Sequence, residues 1–312
     1  MSWSTTKEFL YFRGFFSSSL YRIFQHSLID SVNYYTIITT SKLNPSLIKK
    51  VIEKRSILYQ NTYGVHSEKI TDNGDVFDNH YQHLLVIKKE NEEVVAGYRF
   101  AHTEEVLRKF GLNGFYTYKI FDYAEDFFKH IGPSIEIGRM FISNTHQKTG
   151  IVFKLLWQSL SKYLMDKPYL KYFYGSISLF ENIDLNALVW IVIFCKKHRL
   201  DNDIVQKVKA RHPCQFSILE KIQRDLTNSE DFSNSTKLAM QCKNFRELNL
   251  AFERYYQKKY SFPTLLRNYE KLGTHFSVFG KNPYIFNSNE IFVTTRIQDI
   301  SPEFVRYLTS SL

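Results

Sequence analysis

The chain has 312 residues, of which 44% are hydrophobic and 23% are charged, a composition that excludes a disordered or fibrous protein. Lysine and arginine number 41 against 31 aspartates and glutamates, so the formal charge of +10 favours anionic partners such as an acidic protein, nucleic acid or lipid headgroups. The sequence has only 12 glycines and contains neither G-x-G-x-x-G nor G-x-x-x-x-G-K-[ST], the glycine-rich loops of many nucleotide-binding proteins.

The pattern of apolar, polar and turn residues predicts alternating strands and helices, with no proline-rich linker that would divide the chain. In chain order the predicted elements are a strand over 34–39, a helix over 45–59, a hairpin with strands over 84–88 and 94–100, helices over 104–110 and 118–130, a strand over 135–142, a polar loop over 144–150, a helix over 151–165, a strand over 169–179 and a helix over 185–198. The segment 200–260 is predicted to be basic and mostly helical. The last fifty residues return to loops and strands, of which 291–295 is the clearest strand.

The cysteine content and the N-terminal segment indicate the compartment. Three cysteines without the spacing of a disulfide framework favour a reducing environment, so we expect a cytoplasmic protein. Lys7, Glu8 and Arg13 interrupt the apolar stretch that a signal peptide needs. The longest uncharged apolar run, 187–195, is far below the roughly 20 residues of a spanning helix, so any membrane contact is expected to be peripheral, on the inner face. Cysteine and histidine lack zinc-ligand spacing, and we expect no metal site.

Two charges lie within the otherwise apolar predicted strand 135–142, at Glu136 and Arg139. Because side chains alternate faces along a strand, Glu136 and Gly138 should share one face and Arg139 the other, unless a bulge changes the register. Glu136 is a candidate general base that would take a proton from an attacking amine, directly or through water. A structural ion pair is the alternative, and the pattern alone favours neither.

The strand is followed by a polar loop and a helix, 144–150 and 151–165. The free amides at the start of such a helix are suited to binding a phosphate group or an oxyanion. The sequence therefore predicts an anion site next to the strand that carries Glu136.

A series of short motifs in a fixed order resembles one enzyme family. The series consists of Arg55, Asp75 and Asp78, His83-Leu84-Leu85-Val86, Val94-Val95-Ala96-Gly97-Tyr98-Arg99, Phe115-Tyr116 with Phe121, and Glu136-Ile137-Gly138-Arg139. It resembles the acyl-carrier-protein-dependent N-acyltransferases of the GNAT superfamily, which include the ornithine-lipid acyltransferases, the related enzymes labelled hemolysins and, more distantly, the acyl-homoserine-lactone synthases. The resemblance covers residues 36–180, and the later stretch 262–273 with Asn287 is similar to the C-terminal part of the first two groups.

The resemblance implies an α/β fold with a mixed, partly antiparallel central sheet that is flanked by helices and split at a β-bulge. It also implies an organisation into an N-terminal aromatic arm over 1–35, an acyltransferase core over 36–180, a helical elaboration over 181–260 and a C-terminal segment over 261–312 that returns to the core. The acyl-phosphopantetheine arm of the donor is expected to lie in the gap of the split sheet.

The resemblance also implies roles for individual residues. Glu136 and Arg139 are expected to be catalytic, with Glu136 as the base. The charged residues expected to bind or brace the amine acceptor are Arg55, Asp75, Asp78, His83 and Arg99, with Phe115 beside them. The residues expected to bind the acyl-phosphopantetheine are Phe141, Ile142, Gln147, Lys148, Thr149 and Gly150.

The loop before the helix departs from the pattern of many GNAT enzymes, which have Arg/Gln-x-x-Gly-x-Gly/Ala. This chain has Gln147-Lys148-Thr149-Gly150-Ile151-Val152, with a single glycine. The departure favours a carrier-protein arm, which has one phosphate, over the diphosphate of coenzyme A. No permanently bound cofactor is expected; the co-substrate would be the acyl-phosphopantetheine of acyl carrier protein, or acyl-CoA.

The function expected from these features is N-acyl transfer. A fatty or 3-hydroxy fatty acyl group would pass from acyl carrier protein to the α-amine of a small amino acid such as glycine or ornithine, giving an N-acyl amino acid lipid. Acyl carrier protein is acidic, which suits the basic chain. One alternative is a signal synthase similar to the acyl-homoserine-lactone synthases, and another is a nonenzymatic module that binds nucleic acid. No nucleic-acid motif supports the latter, so we expect no nucleic-acid partner.

Overall fold

The computed structural model describes residues 27–63, 74–147, 150–179, 183–213, 230–285 and 287–309. Ten strands are present in these ranges: β1 (Ile29–Asp30), β2 (Tyr34–Thr39), β3 (Gln82–Lys88), β4 (Glu93–His102), β5 (Phe121–Tyr123), β6 (Ser134–Ile142), β7 (Tyr172–Leu179), β8 (Val208–Ala210), β9 (His275–Asn282) and β10 (Ser288–Arg296). The helices of the same ranges are α1 (Pro45–Tyr63), α2 (Thr103–Phe110), α3 (Phe127–Ile131), α4 (Ile151–Met165), α5 (Leu185–His198), α6 (Asn202–Lys207), α7 (Glu230–Gln241), α8 (Phe245–Tyr256), α9 (Thr264–Lys271) and α10 (Pro302–Thr309).

Eight of the strands form one sheet in the order β1-β2-β3-β4-β6-β7-β10-β9, and β5 pairs with β8 in a separate ribbon. All neighbours in the large sheet are antiparallel except β6 and β7, which run parallel. Parallel neighbours require a crossover, which α4 supplies. The architecture confirms the predicted α/β class with a mixed sheet flanked by helices.

Apolar residues cover both faces of the sheet. On one face, α4 and α5 pack against apolar strand residues such as Ile135, Phe173 and Ile291. On the other, α1 packs against β2 and β3, and the segment 75–131 packs with Tyr174 and Phe292 in a second cluster of aromatic side chains. We call this second side the charged face, because Glu136 and the charged side chains described below lie on it.

Most predicted elements are confirmed, three of them at the predicted bounds: the strand 34–39 and the helices 151–165 and 185–198. The helix predicted over 118–130 is wrong. That segment contains a 3₁₀ turn at Thr117–Lys119, strand β5 and the five-residue α3. Strand β5 is formed by pairing with β8, which lies far away in sequence and which a local pattern therefore does not reveal. The C-terminal segment also contains helices α9 and α10 beside its two strands.

The sheet is split between β6 and β7. Their parallel pairing begins at Ser134 with Tyr172 and ends at Ile137 with Gly175, so beyond Gly175 the two strands have no ladder between them. A Cβ on Gly175 would collide with the carbonyl oxygen of Ile137. Glycine is therefore required where the two strands come closest, at the vertex of the split.

A bulge lies on β6 beside the vertex. Arg99 of β4 pairs with Gly138, and Gly97 with Phe141, so Arg139 and Met140 together oppose Tyr98. Arg139 has φ +57°, the left-handed conformation that is uncommon for a side chain other than glycine. The expected bulge is therefore present and lies at one of the two charged residues of this strand.

Among the described residues, no helix combines the length and the apolar character needed to cross a membrane.

Candidate functional site

Three arginines and two aspartates form a compact cluster on the charged face. Arg55 of α1 makes a two-pronged pair with Asp78, in which Nη1 donates to Oδ1 at 3.0 Å and Nη2 to Oδ2 at 2.7 Å. Arg99 of β4 contacts both aspartates: Nη1 lies 2.9 Å from Asp78 Oδ1, and Nη2 donates to Asp75 Oδ2 at 2.9 Å. Arg139 Nη2 donates to the same oxygen of Asp75 at 3.2 Å. The cluster has more guanidinium groups than carboxylates.

A short turn holds the two aspartates in place. Asp75 caps the 3₁₀ turn Val76–Asn79 by accepting from the amide of Phe77, while the side chain of Asp78 accepts from the amide of Asp75. This reciprocal capping fixes both carboxylates next to the arginines. The sequence signal for this arrangement is the pair of aspartates three residues apart.

Burial and charge shift the pKa values within the cluster. Burial alone would raise the pKa of Asp78, but the Arg99 and Arg55 guanidinium groups outweigh it, and the net shift is well below the ordinary value. Asp75 is shifted in the same direction by Arg99 and Arg139, against the effect of its burial. Burial lowers the pKa of His83 to about 4, so at neutral pH this histidine is uncharged. Its Nε2 lies 3.3 Å from the backbone oxygen of Asp78.

The bulge changes the expected position of Arg139. Simple alternation places Arg139 on the face opposite to Glu136, yet its guanidinium contacts Asp75 on the charged face. The extra residue of the bulge reverses the alternation at this point, which is the exception that the prediction allowed for. Glu136, Gly138, Arg99 and Arg139 are thereby brought to one side of the sheet.

Glu136 is 1% exposed and accepts hydrogen bonds from four donors. Its Oε1 accepts from the amide of Thr117 at 2.7 Å and from the Thr117 hydroxyl, and its Oε2 accepts from the amide of Tyr116 at 3.2 Å and from the Tyr81 hydroxyl. Burial raises the pKa of this carboxyl despite these donors. Glu136 therefore anchors the turn at 116–117 and has no ion pair with Arg139.

Tyr116 lies between this cluster and a second polar group. Its ring centre is 4.8 Å from the guanidinium carbon of Arg139 and 5.4 Å from that of Arg99, distances suited to cation–π contact. Its hydroxyl accepts from Asn282 Nδ2 at 2.9 Å. The same amide group lies 3.3 Å from Oε1 of Glu290. Tyr116 belongs to one of the sequence motifs but was not predicted to be a site residue.

Sequence reasoning missed the second polar group entirely. Glu290 of β10 is 1% exposed, and its Oε1 accepts from the hydroxyls of Ser178 at 2.7 Å and Ser288 at 2.8 Å, in addition to the Asn282 amide. Burial raises its pKa. A lone carboxylate next to the apolar strand residues 291–293 is the signal that could have revealed it, as it did for Glu136.

The open edge of β6 bears on the expected roles of Phe141 and Ile142. The amide of Ser143 donates to the carbonyl of Val95 on β4 at 2.8 Å, so by alternation the amide of Phe141 also points to β4 and that of Ile142 points to the gap. The side chain of Phe141 is 5% exposed and packs under α1. The amide of Ile142, and not that of Phe141, therefore faces the gap.

The remaining predicted residues lie in the loop before α4 and in the core. Gln147 is exposed and donates from Nε2 to the carbonyl of Ile142 at 3.1 Å, and Gly150 caps α4 in the left-handed conformation. Lys148 and Thr149 lie outside the described residues. Phe115, expected beside the acceptor, is fully buried and stacks on Phe128 with ring centres 4.8 Å apart, the position of a core residue.

Comparisons with known proteins show that the chain is similar to acyltransferases. Residues 55–158 match the family model described as acetyltransferase (GNAT) domain. The chain is 26% identical over 252 residues to a glycine N(alpha)-acyltransferase of Phocaeicola vulgatus, covering 78% of this chain and 73% of that protein. It is 25% identical over 262 residues to a protein of the same name from Bacteroides thetaiotaomicron, covering 81% and 74%.

Solved structures show more distant similarity. A CoA-dependent acyl-homoserine lactone synthase aligns with a TM-score of 0.39 and 11% identity, covering 89% of this chain and 97% of that one. An aminoglycoside 6'-N-acetyltransferase complexed with coenzyme A aligns with a TM-score of 0.34 and 14% identity, covering 84% and 97%.

The matched segment 55–158 contains Arg55, the two aspartates, Arg99, Glu136 and the bulge at Arg139. Residues 55–158 are therefore similar to a GNAT acetyltransferase domain, and the chain is an amide-forming acyltransferase.

Proposed function

We propose that this enzyme transfers a fatty or 3-hydroxy fatty acyl group from the phosphopantetheine thioester of acyl carrier protein to the α-amine of glycine, giving an N-acyl amino acid. The observation that carries the proposal is the split between β6 and β7, with a buried cluster of arginines and carboxylates on one face of the sheet beside it. The names of the two bacterial relatives support glycine as the acceptor.

The gap beyond Gly175 is a suitable place for the acyl-phosphopantetheine arm. Within the described ranges, strand β6 pairs with no other strand on this side after Ile137. Its backbone amides are therefore available to a ligand, which would extend the sheet as a strand does. The Ile142 amide would donate to the thioester oxygen as negative charge develops on it. Gln147 and Gly150, with Lys148 and Thr149 between them in sequence, would lie near the phosphate end of the arm.

The reaction follows from this placement. The uncharged α-amine attacks the thioester carbonyl carbon, a C–N bond forms, and the tetrahedral intermediate then collapses with cleavage of the C–S bond. The nitrogen loses one proton, and the departing thiolate gains one. Direct transfer of this kind needs no covalent acyl-enzyme. Both cysteines of the described residues, Cys195 and Cys242, are buried.

Glu136 is the proposed base, and its surroundings set how it would act. Because the carboxylate is buried and has four donors, an amine has no open path to it. We infer that the proton reaches Glu136 through a hydroxyl or a water molecule, and the Tyr81 hydroxyl is the side-chain group that already bonds its Oε2. The raised pKa of Glu136 suits a group that must accept a proton near neutral pH.

The charges of the arginine and aspartate cluster indicate which group of the amino acid acceptor binds there. Asp75 and Asp78 are both paired with arginines, so they are not available to attract a second positive charge on the acceptor. The excess of guanidinium groups instead suits the carboxylate of an amino acid. The charges of the cluster therefore favour glycine over ornithine as the acceptor.

The basic side chains on the surface differ in whether they could bind an acidic carrier protein. Lys207 and Arg211 pair with Asp126 and Asp122, which reduces their ability to bind a partner. Lys154 lies in the first turn of α4, directly after the loop that would meet the phosphate, whereas Lys162 lies in the last turn of this helix. We therefore propose that the carrier protein docks at the start of α4.

The test compares donors and acceptors. Purified protein is incubated with 3-hydroxyacyl carrier protein, unsubstituted acyl carrier protein or the matching acyl-CoA, and with glycine, ornithine or other amino acids, and amides are detected by mass spectrometry. We expect N-acylglycine, formed faster from carrier protein than from coenzyme A. Equal rates from both thioesters would refute the donor assignment, and preferential acylation of ornithine would refute the acceptor assignment.

A further inference from the structure

The carboxylate of Glu290 is buried and has no counter-ion among the described residues. Within the described residues, no arginine, lysine or histidine forms a salt bridge with Glu290. All three donors described above bond one oxygen, Oε1, while Oε2 has no hydrogen-bond partner in the part of the chain that the structure describes. The Ser176 hydroxyl is close enough to favour the charged form of the carboxyl, but it adds no positive charge. A buried carboxylate in this state is costly unless a cation joins it.

The position of Glu290 relates it to the split in the sheet. In the β7–β10 ladder Glu290 is opposite Ser178, beyond the last residue of β7 that pairs with β6. Phe292, two residues along β10, packs with Tyr174 in the aromatic cluster of the charged face. Because residues two apart share a face, Glu290 lies on the same face as Glu136 and Arg139, on the opposite side of the gap.

Tyr116 connects the two sides. Its ring contacts the guanidinium of Arg139, and its hydroxyl is one hydrogen bond away from the amide that bonds Glu290. A positive group therefore lies over the ring of Tyr116, and a negative group lies beyond its hydroxyl, on the other side of Asn282. A ligand that carries one ammonium and one carboxylate is complementary in charge to this pair.

We propose that Glu290 is the ammonium-binding residue of the acceptor site: its Oε2 binds the α-ammonium of the amino acid and takes one proton from it before the uncharged amine attacks, while Arg139 binds the carboxylate. The assignment rests on the proposed N-acyl transfer and names the residue that recognises the acceptor. One carboxylate binds one ammonium, which matches glycine and leaves the second ammonium of ornithine without a counter-charge. Ser178, Ser288 and Asn282 act as positioning residues that hold Oε1 and so direct Oε2.

The primary test is Glu290→Gln, which keeps the shape of the side chain and removes its charge. Since a hydrogen bond between charged groups is lost, we expect the KM for glycine to rise by about tenfold or more, while the KM for the acyl donor stays within twofold. Glu90→Gln serves as the control, because Glu90 is exposed and lies outside the site. An unchanged KM for glycine, or a parallel rise in both KM values, would overturn the proposal.

A second variant keeps the test valid if Glu290→Gln does not fold, which circular dichroism and a thermal melt will detect. Glu290→Asp keeps the charge and withdraws it by one methylene group, so we expect a KM for glycine between those of the wild type and Glu290→Gln. If Glu290→Gln does not fold, an unchanged KM for glycine in Glu290→Asp overturns the proposal, and a selective rise supports it.

Binding measurements separate this inference from the proposed function. Ligand-observed NMR with the wild type would use glycinamide, which has the ammonium but no carboxylate, and glycolate, which has the carboxylate but no ammonium. We expect Glu290→Gln to weaken glycinamide binding by about tenfold or more and to leave glycolate unchanged. Glycinamide that fails to bind the wild type, or binds both proteins equally, contradicts the role of Glu290 even if acyl transfer is shown. If no acyl transfer is detected but glycinamide behaves as expected, the proposed function fails and the ammonium site stands.

Discussion

Gly175 and Gly138 are both glycines in the strands that flank the split, and they should respond very differently to alanine. A Cβ on Gly175 would lie closer than 3.0 Å to the backbone oxygen of Ile137, whereas nothing lies within 4 Å of a Cβ on Gly138. Neither glycine has a positive φ, so alanine can adopt the backbone conformation of both positions. The pair therefore isolates the effect of contact between the strands.

The magnitude for Gly175→Ala follows from the collision. The backbone of β6 cannot turn aside as a side chain could, because Ile137 is itself paired with β4. The two strands would have to separate by roughly 1 Å to restore van der Waals contact. A separation of that size breaks the last hydrogen bonds of the β6–β7 ladder, at about 1 kcal/mol each, in addition to the cost of overpacking, about 1–3 kcal/mol. We expect Gly175→Ala to lower the free energy of unfolding by about 2–4 kcal/mol.

Urea unfolding followed by circular dichroism measures this difference directly. Gly138→Ala should change the free energy of unfolding by less than about 1 kcal/mol, as a substitution away from any close contact does. If the two variants have equal stability, the strands are not in close contact at the vertex, and the geometry of the split described above is wrong.

Three further predictions concern the charged face. Glu136→Gln should lower kcat by about 10²-fold, the scale of a lost general base, with the circular dichroism spectrum unchanged; near-normal turnover with glycine would instead make Glu136 a structural residue. The unfolded chain binds a proton at His83 below pH 6.5, whereas the folded chain does so only near pH 4. Through His83, the wild type should therefore lose about 2 kcal/mol of its free energy of unfolding when the pH falls from 7 to 5. Urea titrations at both pH values, on the wild type and on His83→Gln, measure this loss. Glu136 and Glu290 have the opposite pH dependence, but both proteins contain them, so the difference between the two proteins reports on His83 alone. If the free energy of unfolding of both proteins depends on pH in the same way, His83 is not buried in the neutral form. Arg55→Met should lower the free energy of unfolding by about 3–5 kcal/mol, because Asp78 loses a buried partner. Lys50→Met, on the exposed side of α1, should have little effect in the same titration. Equal losses in the two variants would contradict the buried pair of Arg55 and Asp78.

The strands and helices with a clear period could be predicted from sequence. The helices α4 and α5 have strong apolar patterns and lie at their predicted bounds. Strand β5 could not be predicted, because three residues become a strand only by pairing with β8, and the intervening chain gives no local sign of that contact.

Which residues come together at the site could be predicted only in part. The motif series identified Arg55, Asp75, Asp78 and Arg99, and the structure does bring these side chains into one cluster. Their pairing was not predictable, since the exact turn at 76–79 decides which carboxylate meets which arginine. The position of Arg139 depends on one left-handed residue in a bulge, a conformation that no residue preference would assign to arginine.

Glu290 shows how a remote segment escapes sequence reasoning. It is more than 150 residues away from Glu136, and it reaches the charged face only because β10 pairs with β7 across the sheet. The predicted strand 291–295 stopped one residue short of it. A charged residue at the margin of an apolar strand is therefore worth including in the search for site residues.

The most direct test of the central claim is a single-turnover reaction with purified protein, an acyl carrier protein charged with a 3-hydroxy fatty acid, and ¹⁵N-labelled glycine, analysed by mass spectrometry. We expect one new amide that contains the label, with one equivalent of free thiol released on the carrier protein. Release of free fatty acid without a labelled amide, or recovery of the intact thioester, would contradict it.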